Sequence, residues 1–368
     1  MKVTITAKIN PTPEQIDLLQ DTLKAYSAGC NFVSGIVFQS KQLRQGLLQE
    51  TAYWPLRNQF SLRSQMAQSV IKTVIARYQS LKTNGHAWTK VQFKKLEYDL
   101  VWNRDYSLVA GVFSVNTLQG RIKVPFETKG IEKYFNHGWS FGTAKLVNKY
   151  GKFFLHIPMS KEIPQLKDTE VKQVVGIDLG VNFIATSYDS QDKTTFFDGR
   201  EAKHTRSKYK QLRRHLQRLK TPSARRKLKS IGQRENRWMT DVNHTVSKAL
   251  VERYGAHTLF VIEDLTGIRN ATEKVRLHNR YETVSWAFYQ LRQMLEYKAT
   301  LTQSKVIAVN PQYTSQTCPK CGHTQKANRN KQKHLFCCKN CRYTSNDDRI
   351  SAMNLQRKGI EYIVEVTA

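Results

Sequence analysis

The sequence predicts an α/β multidomain chain, on three observations. Two short apolar runs interrupted by acids, at 174–181 and 259–265, read as buried strands, and long helical patterns lie between and beyond them. Ahead of them, a helical region at about 11–80 is flanked by segments with the two-residue alternation of half-buried strands. Behind them, two C-x-x-C pairs stand close together and read as a small cysteine-rich insertion.

The elements follow in order. Val3, Ile5, Ala7 and Ile9 alternate with Lys2, Thr4, Thr6 and Lys8, the pattern of a strand with one face on a core. Thr12 then offers an N-cap, Pro13 suits the first helical position, and Gln15 completes a capping box. Ile16, Leu19, Leu23 and Tyr26 recur at helical spacing, and the pattern continues with interruptions to about Tyr78. Segments at 108–115, 121–125 and 153–158 are short, rich in β-branched or aromatic residues, and separated by Gly and Asn. They predict a small antiparallel sheet or barrel; the first strand can belong to it, which makes the helical region an insertion. The third block opens with the strand at 174–181, beside which 183–187 and 194–197 can pair. Residues 203–254 read as basic helices, 259–265 as a buried strand, about 281–303 as a helix and 306–309 as a further strand.

Lys and Arg number 59 against 29 Asp and Glu, a formal charge of +30. Solubility needs a net charge of only about 2–8 on a small domain, so this excess points to a polyanionic partner whose binding weakens with salt. No apolar run approaches the roughly 20 residues of a membrane span, and the first residues lack a hydrophobic signal core. Five of the six cysteines crowd into 318–341, which argues against a disulfide scaffold and for metal binding in a reducing compartment. The expected location is the cytoplasm.

Asp178 interrupts the apolar run GIDLG, and Glu263 ends LFVIE. A carboxylate on a buried strand costs several kcal/mol unless it is paired or metal-bound. A third acid comes from NDDRISAMNL, where Asn346 can cap a helix with Asp347 and Asp348 in its first turn. Each alone has a bland explanation, a salt bridge or a helix-dipole contact. Together, Asp178, Glu263 and Asp348 suit a pair of Mg²⁺ ions, which prefer oxygen ligands and can drive phosphodiester cleavage.

Cys318, Cys321, Cys338 and Cys341 form two C-x-x-C knuckles with 16 residues between them, a spacing suited to one structural zinc ion. Cys337 could replace Cys338 only at the cost of a C-x3-C spacing, and His323 or His334 could serve if a cysteine did not. Cys30, on a predicted helix, reads as a core thiol.

With these residues in view, the chain resembles the TnpB family, transposon-encoded RNA-guided nucleases related to the compact type V CRISPR effectors. GIDLGV at 176–181, VIEDL at 261–265, CPKCG at 318–322, FCCKNC at 336–341 and DRISAMNL at 348–355 stand in the family's order, and TITAKINPTPEQIDLLQDTL resembles its opening. The resemblance implies an RNase H-like RuvC nuclease domain (170–310 and 345–368) with an inserted zinc ribbon (311–344), and a wedge-like β-barrel (1–10 and 86–165) carrying a helical recognition insertion (11–85). It assigns Asp178, Glu263 and Asp348 to the catalytic positions, a guide RNA from the transposon end and target double-stranded DNA as partners, and a monomer in the complex. The family usually reads D-R-D-x-N-A-A-x-N-I at the third motif; here Asn346 and Asp347 replace its first acid and its Arg, and the register from Asn354 selects Asp348 over Asp347.

Within 203–248 the basic residues include Arg213, Arg214, Arg218, Arg225, Arg226 and Arg237, opposed only by Glu235 and Asp241. That imbalance departs from the mixed signs of a solvated helix face and marks a surface for the RNA–DNA duplex or the guide. Gln68, in LRSQMAQ, is a candidate for reading the motif beside the target, since Gln pairs with adenine; an ordinary exposed helix residue looks the same. Lys94 lies in WTKVQFKK (88–95), which either touches RNA or is a strand with aromatics inward and lysines outward. The rival functions are a cleavage-deficient RNA-guided DNA-binding regulator, a transposase and a plain zinc-ribbon DNA-binding protein.

Overall fold

The computed structural model describes residues 1–109, 111–135, 138–265 and 288–368. They form two units, Met1–Glu162 and Ile163–Ala368. The first runs β1 (Lys2–Ile9), α1 (Pro13–Ser40), α2 (Gln45–Gln59), α3 (Ser64–Thr83), β2 (Glu97–Leu100), β3 (Tyr106–Val109), β4 (Val112–Thr117), β5 (Gly120–Pro125), β6 (Ser140–Phe141), β7 (Ala144–Lys149) and β8 (Lys152–Ser160). The alternation in β1 is matched by its antiparallel partner β8: Ile5, Ala7 and Ile9 face Ile157, Leu155 and Phe153, and all six are buried. Thr12 and Gln15 make the reciprocal capping box that starts α1.

The expected barrel is not found. Among the described residues β1-β8-β7-β2, with β6 on β8, and β3-β4-β5 are separate open sheets, joined by a single bridge between Ile9 and Phe126. At that bridge the Asn10 and Glu127 amides donate to the Pro125 and Lys8 carbonyls, but Pro125 has no N–H to return to Asn10 and so cannot extend the ladder. The run at 108–115 is likewise not one strand: β3 and β4 form a hairpin that turns at Gly111, whose φ of +79° suits glycine. Residues 88–95 face as expected, with Trp88 and Phe93 packed on the core and Lys90, Lys94 and Lys95 exposed. They are held without strand pairing, through side chains of α1: Asn31 and Ser27 donate to the Phe93 carbonyl and Ser34 to that of Val91.

The second unit contains β9 (Gln173–Asp178), β10 (Phe183–Tyr188), β11 (Thr194–Asp198), α4 (Arg200–Leu219), α5 (Pro222–Ile231), α6 (Arg234–Tyr254), β12 (Thr258–Glu263), α7 (Phe288–Leu301), β13 (Lys305–Val309), β14 (Arg329–Asn330), β15 (Leu335–Cys337), β16 (Thr344–Asn346) and α8 (Asp347–Thr367). The part of the predicted 281–303 helix before Phe288 lies outside the described residues. The sheet order is β11-β10-β9-β12-β13, with β12 parallel to both of its neighbours and the β10 pairings antiparallel. Its strands are apolar on both faces because both are covered. Val175, Ile177, Phe260 and Ile262 pack with α6 and α7 on one side, while Val174, Leu259 and Val261 pack with Leu355 of α8 on the other.

Gly176 lets α8 lie directly on β9. A side-chain carbon there would collide with the backbone of α8 at the Ala352 carbonyl and the Gln356 amide. Further along α8, Gly359 makes room in turn for the side chains of Val261 and Val174. Gly176→Ala must therefore push the helix off the sheet. Overpacking of this kind costs about 1–3 kcal/mol, so the thermal midpoint should drop by several degrees, and calorimetry that shows an unchanged midpoint would contradict this packing.

Candidate active site

The sheet sets the first two acids. β9 and β12 run parallel with Ile177 opposite Ile262, so Asp178 and Glu263, the next residues, emerge side by side at the carboxyl ends of neighbouring strands. Clefts at such strand ends are where open α/β sheets place ligands. The helix supplies the third: Asn346 caps α8, its side-chain oxygen accepting from the Asp348 and Arg349 amides at 3.0 and 3.1 Å. Because Gly176 holds α8 against β9, its first turn opens over the same strand ends. Asp178, Glu263 and Asp348 all line one cleft of about 330 Å³.

The acids are held at some electrostatic cost. Burial lifts Asp178 well above the usual carboxylate range, and the Glu263 and Asp348 charges raise it further. Burial also raises Glu263, against a hydrogen bond that Thr314 Oγ1 donates to its Oε1 at 2.5 Å. Asp348 is raised by burial and then by the charge of Asp347. Ionised together they require cations, and all-oxygen donors of this kind suit Mg²⁺. Asn354, the residue that set the register of the third motif, donates to the carbonyls of Thr314 and Thr317 at 2.7 and 2.8 Å. It thereby fixes the loop whose Thr314 orients Glu263.

Two cleft residues carried no sequence signal. Arg329, on β14, donates to Asp347 Oδ2 at 2.8 Å and lies 3.8 Å from Asp348. His334, considered above only as a reserve zinc ligand, instead points to the cleft, with its Nε2 2.7 Å from Asn182 Nδ2. Both lie in a polar stretch without periodicity, Arg329 on β14 and His334 in the turn after it, and only the folding of β14 and β15 against α8 brings them to the acids. Asp347 is fully buried, whereas Asp348 lines the cleft.

The four knuckle cysteines form a possible metal site compatible with a zinc ribbon. Their sulfurs lie within 4.8 Å of one another; the Cys318–Cys341 and Cys321–Cys338 edges are both 3.6 Å. A tetrahedron with Zn–S of about 2.3 Å has edges of about 3.8 Å, so the donors and the spacing fit zinc. The knuckles repeat one backbone pattern: the Cys318 amide donates to His323 and the Cys338 amide to Tyr343, and each turn passes through a left-handed residue, Gly322 or Arg342. Buried Asn328 ties them together, donating to the Gln316 and His323 carbonyls and accepting from the Lys339 amide. The His323 amide lowers the Cys321 thiol to about 6, favouring the thiolate a metal binds. Cys337 lies outside the cluster, and Cys30 is a buried thiol of α1.

The basic residues divide. Arg214, Arg218, Arg225, Arg226 and Arg237 are exposed on α4, α5 and α6. Arg213 is instead half-buried and, with Arg206, pairs with buried Glu235, joining α4 to α6. In the first unit, Gln68 is half-buried on α3, and Lys94 is exposed beside a cavity of about 590 Å³ that also touches Arg77, Lys95 and Lys145.

A layered α/β unit with a carboxylate cleft and a four-cysteine ribbon, preceded by a helix-and-sheet unit, defines the class of this chain, and the fold is shared with a solved protein. The protein in the "Cryo-EM structure of the Cas12f1-sgRNA-target DNA complex" superposes with a TM-score of 0.63 at 15% identity, over 94% of this chain and 83% of that one. Two family models match: "Probable transposase" (OrfB_IS605) at residues 156–273 and "Cas12f1-like, TNB domain" at 288–355. The TnpB-like protein MJ0751 of Methanocaldococcus jannaschii is 30% identical over 242 residues, which cover 63% of this chain and 83% of that protein. The CRISPR-associated endodeoxyribonuclease Cas12f1 of Syntrophomonas palmitatica is 26% identical over 329 residues, 83% of this chain, but the match spans only 64% of that relative's length. The chain belongs to the TnpB family.

Two outcomes test the site. The carboxyls are raised above their unfolded range, so without Mg²⁺ the folded protein keeps their protons to higher pH than the unfolded chain does, and stability falls as pH rises from the unfolded values through the raised ones. Asp178→Asn removes that loss: its thermal midpoint should exceed wild type's at about pH 8, by about 2–4 °C per kcal/mol relieved, with the gap closing towards about pH 4. A gap independent of pH contradicts the assignment. For the ribbon, Cys338→Ser should lose the zinc that wild type and Cys337→Ser both retain, as measured by atomic emission.

Proposed function

We propose that this chain is an RNA-guided DNA endonuclease that cleaves both strands of double-stranded DNA beside a short adjacent motif, at one carboxylate site. The observation that carries this reading is the convergence of Asp178, Glu263 and Asp348, from two strand ends and a capped helix, in one cleft. The sheet with α8 is read as an RNase H-like RuvC nuclease domain interrupted by the ribbon, and 11–85 as the recognition insertion in the β region. A plain zinc-ribbon binding protein has no use for three raised carboxyls at one strand edge.

In this reading Asp178, Glu263 and Asp348 hold two Mg²⁺ ions, which supply an activated water and stabilise the leaving oxygen when bound. Thr314 fixes the rotamer of Glu263 through its hydrogen bond. Arg329 places a cation where the scissile phosphate enters, and Asp347 holds that guanidinium in position. The exposed arginines of α4, α5 and α6 carry the backbone of the guide–target duplex, while base pairing reads the sequence. Gln68 and Lys94 face the motif-bearing duplex or the guide. The partners are a guide RNA from the transposon end and the target DNA; the protein acts as a monomer in that complex, in the cytoplasm and on the nucleoid.

The experiment is reconstitution. Purified with its guide and Mg²⁺, the protein should cut only complementary DNA next to one short motif, and Asp178→Ala should bind that DNA without cutting. Strand transfer independent of a guide would replace this reading with a transposase. Arg225→Ala combined with Arg226→Ala should lower the log–log salt slope of nucleic-acid binding by about 2, since each phosphate contact contributes about 0.9. An unchanged slope removes α5 from the interface.

A further inference from the structure

The turn between β14 and β15 brings a second potential cation site to the rim of the cleft. Asp347 is fully buried, and its two carboxylate oxygens are treated unequally. Oδ2 accepts from Arg329 Nε at 2.8 Å, whereas Oδ1 has no hydrogen-bond partner among the described residues. The atom facing it across 3.5 Å is His334 Nδ1, also buried and also without a hydrogen-bond partner. A buried carboxylate oxygen left without a hydrogen bond keeps its full desolvation penalty, and 3.5 Å is too long for the imidazole to relieve it by a good hydrogen bond.

The surroundings of the imidazole supply what a metal ligand needs. Its far nitrogen, Nε2, lies 2.7 Å from the Asn182 amide. Oxygen and nitrogen of an amide occupy equivalent positions, so Asn182 can present Oδ1, accept Nε2–H and leave the Nδ1 lone pair aimed at Asp347. A ligating histidine commonly has its second nitrogen tied down in this manner. Asp348 closes the group: one donor atom from each of His334, Asp347 and Asp348 lies within 4.8 Å of the others. His334 and Asp348 line the cleft and Asp347 lies buried behind them, so an ion held by the three keeps its open positions on the cleft side for water or phosphate oxygen.

We propose that His334 Nδ1, Asp347 Oδ1 and an oxygen of Asp348 form a mixed nitrogen–oxygen cation site, distinct from the Asp178–Glu263 edge and sharing Asp348 with it. All-oxygen sites suit Mg²⁺, whereas an imidazole donor shifts preference towards first-row transition ions. This site therefore takes Mn²⁺ ahead of Mg²⁺. It stands on the geometry of these three residues, not on the guided-nuclease reading.

The test uses the full chain without a polyhistidine tag, zinc retained and weakly held metal removed, titrated with Mn²⁺ and followed by electron paramagnetic resonance. Wild type should bind Mn²⁺ with electron spin-echo modulation from one directly coordinated imidazole ¹⁴N. His334→Gln should abolish that modulation, Asp347→Asn should weaken Mn²⁺ at least about tenfold, and Asp178→Ala should keep it. Zinc content equal to wild type shows that the ribbon of each variant is folded. No ¹⁴N modulation in wild type at saturating Mn²⁺, or modulation that survives in His334→Gln, overturns the site. Failure of guided cleavage with every metal would overturn the nuclease reading while leaving this signal intact.

Discussion

The close approach of α8 to β9 at Gly176 is the constraint on which the second unit depends. The missing side chain lets the Ala352 and Gln356 backbone lie where a methyl group would otherwise stand. Backbone-to-sheet contact of this kind fixes the helix in depth and in rotation, and hence fixes its first turn relative to the strand ends. Asp178 and Glu263 are already locked to each other by the parallel register of β9 and β12. What α8 contributes is a third carboxyl whose position is set by packing, not by a flexible loop. Asn354 extends the same rigidity sideways, since its two hydrogen bonds hold the Thr314 loop and through it Glu263.

A protein of formal charge +30 that gathers four acids at one edge spends most of its positive charge elsewhere. Near the cleft the balance is local: Arg329 lies against Asp347 and Asp348, and the carboxyls stay above their ordinary range despite it. The cationic helices have their own anchor, the buried Glu235 that takes both Arg206 and Arg213. One buried acid thus connects α4 to α6 and leaves the exposed arginines beyond it to solvent or to a polyanion. Leu216, Ala224 and Ile231 give α4 and α5 a small core of their own, so this arm is braced at both levels.

Much of this was legible in the sequence wherever a local rule had no competitor. The alternation of β1, the Thr12 capping box, the acids inside apolar strands and the paired knuckles each rest on a few neighbouring residues, and each takes the expected form. Closure of the first sheet into a barrel was not legible, because it depends on whether distant edges can exchange hydrogen bonds, and the proline at 125 withholds a donor where they meet. Residues 88–95 kept their in–out pattern but lost the ladder, since Asn31, Ser27 and Ser34 of α1 satisfy that backbone instead. Arg213 reads as one more cation in a basic run until Glu235, remote in sequence, takes it. Arg329 and His334 were invisible for a related reason: a cation among the lysines of a polar stretch has no period, and its place is decided by how the ribbon folds back.

The order of elements along the chain has a consequence for synthesis. Asp348 is translated about 170 residues after Asp178, behind the cationic helices, β12 and both knuckles. The sheet and the basic arm of the second unit can therefore form on the ribosome while the helix that completes the cleft is still unmade. Until then α8 cannot cover Val174, Leu259 and Val261, and that face of the sheet stays open. A nascent chain in this state has the basic arm and only two of the acids, Asp178 and Glu263. The carboxylate cleft is thus completed only after the ribbon has been made, when α8 packs on β9 and brings its two acids to the two already set by the strands.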